Sequence, residues 1–139
     1  MSLVSRNIRD YLRKVRTHRN VSVKNSPAPD LMAAACPSRD VLRRLTGRWG
    51  MLVLWALAEG PQRFGSLRRQ VGGISERMLA QTLQGLETDG LVLRHDFGTV
   101  PPHVEYALTP LGHEAAARVD ALLGWIESSL PRIAQGWNG

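Results

Sequence analysis

The sequence has a single cysteine and no long apolar run, and both absences narrow the classes of protein to consider. With Cys36 alone, the chain cannot close an internal disulfide or surround a metal ion with several thiolates. The longest apolar run, from Met51 to Ala58, is eight residues, whereas a membrane-spanning helix needs about 20. The N-terminus is basic but lacks the apolar core of a secretory signal. We therefore expect a cytoplasmic protein that does not enter a membrane.

The sequence patterns of common enzymes are missing as well. There is no G-x-S-x-G, P-loop, G-x-G-x-x-G or H-E-x-x-H pattern. The four histidines (His18, His95, His103 and His113) have no evident nucleophile or carboxylate partner in the sequence. Two of them, His95 and His103, lie on the two strands of a predicted hairpin and could face each other, but two histidines without a nearby carboxylate or thiol make a poor zinc site. The sequence therefore predicts no catalysis, no cofactor and no metal ion.

Charge is distributed unevenly along the 139 residues, whose net charge is +6. Residues 1–25 contain seven lysines and arginines and one acid, Asp10, so this segment carries the whole net charge. Such an arm suits a polyanionic partner, with nucleic acid ahead of an acidic membrane surface, although a solvated tail has the same composition. The proline-containing residues 25–30 read as a linker. We therefore divide the chain into a basic arm and linker, residues 1–30, and one domain, residues 31–139.

Hydrophobic periodicity predicts four helices in the first part of this domain. Ser38 is a candidate N-cap for a helix that ends at Gly47. The next helix, from about Trp49 to Ala58, is apolar on every side and is predicted to be wrapped by the other elements. An amphipathic helix with Arg68 and Arg69 on its polar side then precedes a longer one capped by Ser75. The inward residues of that longer helix are predicted to be Met78, Leu79, Leu83 and Leu86. Two helices joined by a short glycine-containing turn match the helix-turn-helix motif.

A β-hairpin and a long helix are predicted to follow. Residues 91–94 and 104–108 read as strands on either side of a proline-stiffened loop, which is the order of a winged helix. Thr109 is predicted to cap the last helix, and Pro131 to kink or restart it near its end. The apolar stripe of this helix is wider than one small domain can cover, so we assign Leu122, Trp125 and Ile126 to a dimer interface. The predicted fold class is mainly α with a small β-hairpin, a winged helix-turn-helix.

From Cys36 to Trp125 the sequence resembles the HxlR-type winged-helix regulators, relatives of the MarR group. The resemblance rests on ordered motifs: Cys36-Pro37, Gly47-Arg48-Trp49, Gly60-Pro61, Arg63-Phe64, Gly72-Gly73-Ile74-Ser75, Met78-Leu79, Gly90-Leu91-Val92 and Val100-Pro101-Pro102-His103-Val104-Glu105-Tyr106. It implies a homodimeric transcriptional regulator that binds an operator in double-stranded DNA and whose terminal helices pair two subunits. Several relatives sense oxidants or electrophiles through a cysteine at the position of Cys36, which makes this residue a candidate redox sensor; others have no known signal. The family usually has Arg or Lys where His103 stands.

The helix capped by Ser75 is the candidate recognition helix. Its predicted DNA-contacting residues are Ser75, Glu76, Arg77, Ala80, Gln81 and Gln84. Arg77 is suited to guanine, either glutamine to adenine, and Ser75 to a phosphate at the helix N-terminus. Glu76 is expected to repel phosphate or to read a cytosine amine. A solvated helix face has a similar composition, but the helix-turn-helix and wing around it favour DNA.

The remaining candidate contacts lie on the neighbouring elements. We assign Arg63, Arg68 and Arg69 to the DNA backbone, and Arg94, His95, Thr99 and His103 to the wing. Each of these side chains could instead serve only solubility. We interpret Trp49, Trp55 and Phe64 as core packing rather than as a ligand pocket. For Cys36, a helix start and nearby Arg39 favour the thiolate, whereas a small buried apolar residue is the alternative interpretation.

Together these features predict a sequence-specific DNA-binding regulator, a homodimeric repressor that responds to an oxidant or a small molecule. The alternative is a winged-helix module that contacts protein or RNA and binds no operator. The exposed face of the helix capped by Ser75 discriminates between them, because a protein-binding version should present apolar residues there.

Overall fold

The computed structural model describes residues 30–138, and the chain divides into two units, residues 1–40 and residues 41–139. The predicted arm, residues 1–25, lies outside the described residues. The described part of the first unit consists of turns that lead into helix α1 (Ser38–Thr46). Here the Arg39 guanidinium donates hydrogen bonds of 2.7 and 3.0 Å to the carbonyl oxygens of Leu31 and Met32. These bonds tie the turns to the beginning of the helix.

The second unit begins within α1, at Val41, and contains the other helices and all the strands of the described chain. In order they are α2 (Gly50–Leu57), β1 (Gln62–Arg63), α3 (Phe64–Gln70), α4 (Glu76–Thr88), β2 (Val92–Asp96), β3 (Val104–Leu108), α5 (Pro110–Gln135) and a 3-10 turn (Gly136–Asn138). The pair α3–α4 followed by the hairpin β2–β3 confirms the predicted winged helix-turn-helix. Each predicted helix is present, with ends within about two residues of the expected ones.

The sheet has three antiparallel strands in the order β1-β3-β2, so the predicted hairpin is only part of it. In the hairpin, Val92 lies opposite Leu108 and Asp96 opposite Val104. On the other side of β3, Gln62 lies opposite Tyr106 and Arg63 opposite Glu105. The sequence did not predict β1, because two residues are too few to show the alternation that marks a strand.

Helix α2 lies in the core, as its composition predicted. Val53, Leu54 and Leu57 are at most 1% exposed, and they belong to one apolar cluster with the leucines of α4. Full burial of each such side chain contributes about 1.5–3 kcal/mol. The prediction that other elements cover α2 on every side was nevertheless wrong, because Leu52 is 37% exposed.

Hydrogen bonds and close packing fix the start of α5 against the end of α4. The Thr109 hydroxyl accepts a hydrogen bond of 2.9 Å from the Gly112 N–H and donates one of 2.5 Å to the Gly90 carbonyl. Gly112 itself lies so near the carbonyl of Leu91 that a Cβ atom there would overlap it. These contacts confirm Thr109 as the N-cap and explain why position 112 lacks a side chain.

Helix α5 runs from Pro110 to Gln135 as one helix, so of the two predicted effects of Pro131, a kink or a restart, the restart does not occur. Proline lacks an N–H and therefore removes one helical hydrogen bond. Little more than one turn of α5 follows Pro131, so few helical hydrogen bonds lie beyond it. Gly112, Ala116 and Val119 form the buried side of the helix. Exposed apolar residues flank this buried side and are described below.

Candidate nucleic-acid interface

Helix α4 presents a polar face to solvent. The Ser75 hydroxyl accepts a hydrogen bond of 3.1 Å from the Met78 N–H and caps the helix as predicted. Leu79, Leu83 and Leu86 turn inward and are at most 1% exposed. The predicted contact residues Ser75, Glu76, Arg77, Ala80, Gln81 and Gln84 are all exposed. One assignment was wrong: Met78 is 39% exposed rather than buried, because it lies at the edge of the leucine stripe.

Glu76 is paired with a residue of the preceding helix. Its carboxylate lies 2.8 Å from the Arg68 guanidinium, with side-chain exposures of 71% and 48%. An ion pair this exposed contributes at most about 1 kcal/mol to stability, since water screens it. Its effect on the surface is larger, because the carboxylate offsets one of the positive charges that α3 presents beside α4.

Arg63 and Arg69, the other two residues predicted to contact the DNA backbone, are exposed at the two ends of α3. Arg63 occupies the N-cap position of α3 and also belongs to β1. Its pairing with Glu105 across the sheet ties the start of α3 to the wing strand β3. Arg63 therefore connects the helix-turn-helix to the wing, an arrangement that the sequence pattern did not reveal.

Of the four wing residues predicted to contact DNA, two are exposed and two contact an aromatic ring. Arg94 and Thr99 are exposed, whereas His95 and His103 are half-buried. The Phe97 ring contacts both histidines, edge-on for His95 and tilted for His103, with a centroid distance of 4.3 Å to each. In the hairpin register His95 lies opposite Glu105, so the two histidines do not face each other across the strands as predicted.

Glu105 lies at the centre of the basic residues of the sheet. Its carboxylate is 3.2 Å from the His103 Nε2, and its backbone position is opposite His95 on one side and Arg63 on the other. Residues directly opposite in an antiparallel sheet project from the same face. Glu105 therefore lies on the face of the sheet that carries Arg63 and His95, and it contacts His103. Within the described part of the chain, no cluster of three or more His, Cys, Asp or Glu side chains could hold a metal ion.

The C-terminal end of α4 is fixed by an ion pair that the sequence did not predict. The Arg44 guanidinium binds both carboxylate oxygens of Asp89, with an Nε–Oδ2 distance of 2.6 Å, and the Asp89 side chain is 7% exposed. The aliphatic part of Arg44 lies over Gly85, where a Cβ atom would approach its Cδ to 3.1 Å. The Arg44 side chain therefore packs close to the half-buried Gly85. The 45-residue separation of the two partners gave no sequence signal.

Cys36 lies in the first unit, half-buried and without a disulfide. The Ser38 hydroxyl, through a hydrogen bond to the thiol, is the main cause that lowers the pKa of Cys36. The Ser38 backbone N–H lowers it further, burial opposes both, and the N–H groups of Asp30 and Arg39 add smaller contributions. The Arg39 side chain, expected to favour the thiolate, instead binds the two carbonyls described above.

Helix α5 exposes a broad apolar face. Leu122, Trp125 and Ile126, assigned from the sequence to a dimer interface, are 47%, 53% and 40% exposed. Leu111 and Leu130 on the same helix are also exposed. A soluble monomer seldom leaves such a contiguous apolar surface in water. None of the helices among residues 30–138 is both long and apolar enough to cross a membrane.

The family assignment follows from comparison with known proteins. The model of the HxlR-like helix-turn-helix family matches residues 44–134, well over half of the chain. The chain belongs to the HxlR family. The HTH-type transcriptional regulator YtfH of Escherichia coli (strain K12) is 56% identical over 104 residues, which are 75% of this chain and 82% of YtfH. The protein is thus a transcriptional regulator with a helix-turn-helix domain, as the motifs indicated.

Solved structures of the same kind share its fold. The structure of ytfH from Salmonella typhimurium, a transcriptional regulator, is 51% identical with a TM-score of 0.77, and the match covers 81% of this chain and 100% of that one. The reduced form of the redox regulator HypR is 33% identical with a TM-score of 0.65, and the match covers 71% of this chain and 98% of HypR.

Proposed function

We propose that the protein binds operator DNA sequence-specifically as a homodimer and represses transcription by occupying the operator. The exposed polar face of α4 carries this proposal, since it follows a helix-turn-helix turn and bears Arg77, Gln81 and Gln84. Arginine donates bidentately to guanine and glutamine to adenine in the major groove. A protein-binding version of the module would present a mainly apolar face there, which disfavours that alternative.

The surrounding cations position the protein on the duplex. Arg63 and Arg69 contact phosphates on either side of α3, and the N-terminus of α4 at Ser75 offers its backbone amides to another phosphate. Arg68 contributes less because Glu76 offsets its charge. In the wing, Arg94 and Thr99 reach the DNA backbone or the minor groove. The contacts of His95 and His103 with the Phe97 ring stabilise the conformation of the loop. These contacts give affinity and register, while α4 supplies sequence discrimination.

The apolar face of α5 pairs with the same face of a second copy. A twofold dimer buries Leu122, Trp125 and Ile126 against their equivalents and removes their exposed apolar area from water. Two copies of α4 then read two half-sites about one helical turn, 34–36 Å, apart. Repression needs nothing beyond occupancy of such an operator.

The experiment compares two arginine variants on an operator selected from random DNA. Arg77→Ala should weaken specific binding by about 1–3 kcal/mol, or roughly 5- to 150-fold, and relax the selected sequence at one base position. Arg118→Ala removes an arginine that is also exposed, on α5, and should leave affinity and sequence preference unchanged. Fluorescence anisotropy at fixed salt measures both, and equal affinities for the two variants would refute the assignment of α4.

We further propose that Cys36 makes operator binding sensitive to oxidants. The hydrogen bond from Ser38 supports this, because a lowered pKa increases the fraction of reactive thiolate. The likeness to the redox regulator HypR supports it as well. As the chain has one cysteine, its disulfide must join a second molecule, either the dimer mate or a small thiol. Diamide takes up the two electrons and two protons that the pair of thiols releases.

A diamide titration tests this second proposal. The oxidant should release the wild-type protein from the operator and leave the Cys36→Ser variant bound. Mass spectrometry under non-reducing conditions then identifies the molecule joined to Cys36. Release of both proteins at the same diamide concentration would exclude the thiol as the sensor.

A further inference from the structure

At the base of the wing loop, a histidine lies against a carboxylate. The loop, residues 98–102, begins after Phe97 and ends before His103, and the Phe97 N–H donates a hydrogen bond of 2.9 Å to the His103 carbonyl oxygen. The His103 Nε2 is 3.2 Å from the Glu105 carboxylate, and the two side chains are 36% and 20% exposed. Because both side chains are partly buried, water and salt screen this pair less than a fully exposed one.

This contact suits a protonated imidazole better than a neutral one. The His103 Nε2 is buried and forms no hydrogen bond with any of residues 30–138, so the distance to Glu105 is that of an ion pair without the alignment of a hydrogen bond. A neutral ring nitrogen in this position is an unsatisfied buried group, which is unfavourable. A charged ring is attracted to the carboxylate at any angle, since Coulomb attraction depends on distance. Histidine can supply that charge, because it titrates between about pH 5 and 8.

The neighbouring strands bring an arginine and a second histidine to the same face of the sheet. Glu105 lies opposite Arg63 on β1 and opposite His95 on β2, and residues directly opposite project from one face. With both histidines neutral, the formal charges of these side chains are those of Arg63 and Glu105, which cancel. A proton on His103 therefore leaves this group of side chains with one net positive charge.

The other charged groups near the hairpin do not replace Glu105 as the partner of the imidazole. Arg94 and Asp96 flank His95 on β2 and project from the opposite face, because successive residues of a strand alternate. Asp96 also accepts a hydrogen bond of 2.8 Å from the backbone N–H two residues further on. Helix α3, which packs against β3, contributes Arg68 and Arg69 and no acid. On these elements of the described chain, no second acid faces the imidazole.

We propose that operator binding takes up a proton at His103, so that the protein holds its operator more tightly as the pH falls from about 8 to about 6. The protonated ring adds a positive charge at the base of the loop from which Thr99 reaches the DNA. Phosphates attract this charge, and by reciprocity the complex favours the protonated ring. Affinity is therefore highest below the titration range of histidine and is lost as the pH rises through that range. This pH regulation rests on the proposed function.

Operator affinity at two pH values tests the coupling. Fluorescence anisotropy is measured at fixed salt at about pH 6 and about pH 8, with every protein in a Cys36→Ser background, which removes the titration of the thiol. The protein with His103 should bind about tenfold more tightly at the lower pH. His103→Gln takes up no proton and should show the weaker affinity at both pH values, whereas the permanently charged His103→Arg should show the tighter one at both. His113→Gln removes an exposed histidine from α5 and should keep the full pH dependence.

Two further measurements separate the effect of charge from a structural role of His103. Glu105→Gln removes the negative charge that the proton neutralises, so at about pH 8 it should bind nearly as tightly as the protein with Glu105 does at about pH 6. Calorimetric titration with operator at about pH 7, in two buffers of different ionisation enthalpy, measures the protons taken up on binding. The protein with His103 should take up protons, and His103→Arg should take up markedly fewer.

The outcomes distinguish this inference from the function on which it rests. Operator binding with the same affinity at both pH values would refute the inference and leave the proposed function intact. An unchanged pH dependence in His103→Gln, or its loss in His95→Gln instead, would refute the assignment of the proton to His103. Failure of both His103→Arg and Glu105→Gln to bind more tightly at the higher pH would refute the role of charge. A protein that binds no operator at either pH would refute the proposed function, and the coupling with it.

Discussion

The ion pair between Arg44 and Asp89 should be the strongest single polar contact that positions α4. Asp89 is 7% exposed and Arg44 37%, so the carboxylate is nearly buried while its partner is partly solvated. Removing Arg44 leaves that carboxylate without its guanidinium. A hydrogen bond to a charged group contributes about 1.5–3 kcal/mol, and breaking a fully buried pair costs about 3–5 kcal/mol. Partial exposure of Arg44 reduces the expected cost of Arg44→Ala to about 2–3 kcal/mol.

A double-mutant cycle isolates the pair from the other contacts of Arg44. Wild type, Arg44→Ala, Asp89→Ala and the double variant are unfolded in urea at one protein concentration, since a dimer makes stability concentration-dependent. We expect a coupling energy of about 1–2 kcal/mol. The exposed pair Arg68–Glu76 is the control, and its cycle should give about 0.5 kcal/mol or less. A coupling for Arg44–Asp89 no larger than that of the control would refute the reasoning from burial.

Three further predictions concern other parts of the chain. Gly112→Ala should destabilise the protein by about 3 kcal/mol in urea unfolding because its Cβ overlaps the Leu91 carbonyl, whereas Gly124→Ala, with no atom within 4 Å, should be neutral or stabilising. Ser38→Ala should raise the pKa of Cys36, so the pH dependence of its alkylation by iodoacetamide moves to higher pH; an unmoved profile would exclude the Ser38 hydrogen bond as the cause. Trp125→Arg should convert the proposed dimer to a monomer in sedimentation equilibrium, and Ala117→Arg on the same helix should not; a dimer in both would place the interface elsewhere.

Much of α4 could be predicted from the sequence because its signals are local. Ser75 caps the helix three residues before the amide that it binds, and Leu79, Leu83 and Leu86 repeat at the spacing of one helical face. The first and last residues of strand β3 were also predicted correctly, because a proline-containing loop precedes the strand and the helix capped by Thr109 follows it. The exposure of the predicted DNA-contacting residues of α4 follows from the position of the Ser75 cap and of the leucine stripe.

The errors concern residues whose surroundings depend on distant parts of the chain. Met78 lies at the edge of an apolar stripe, and only the position of the segment around Trp49 decides whether it is covered. Arg44 and Asp89 are 45 residues apart, and β1 exists only because β3 offers its edge to two residues. In the wing, the Phe97 ring contacts both His95 and His103, and strand register alone does not specify these contacts. Such contacts are set by tertiary packing rather than by local propensity.

The most direct test of the central claim is cleavage of the operator by a reagent attached to α4. Gln81→Cys in a Cys36→Ser background carries a tethered iron–EDTA group, and Glu127→Cys on α5 serves as the control. Attachment at residue 81 should cut the operator at two positions related by its symmetry axis and separated by about ten base pairs, and attachment at residue 127 should give no localised cuts. An operator bound with full affinity but cut equally, or not at all, from both positions would contradict the account.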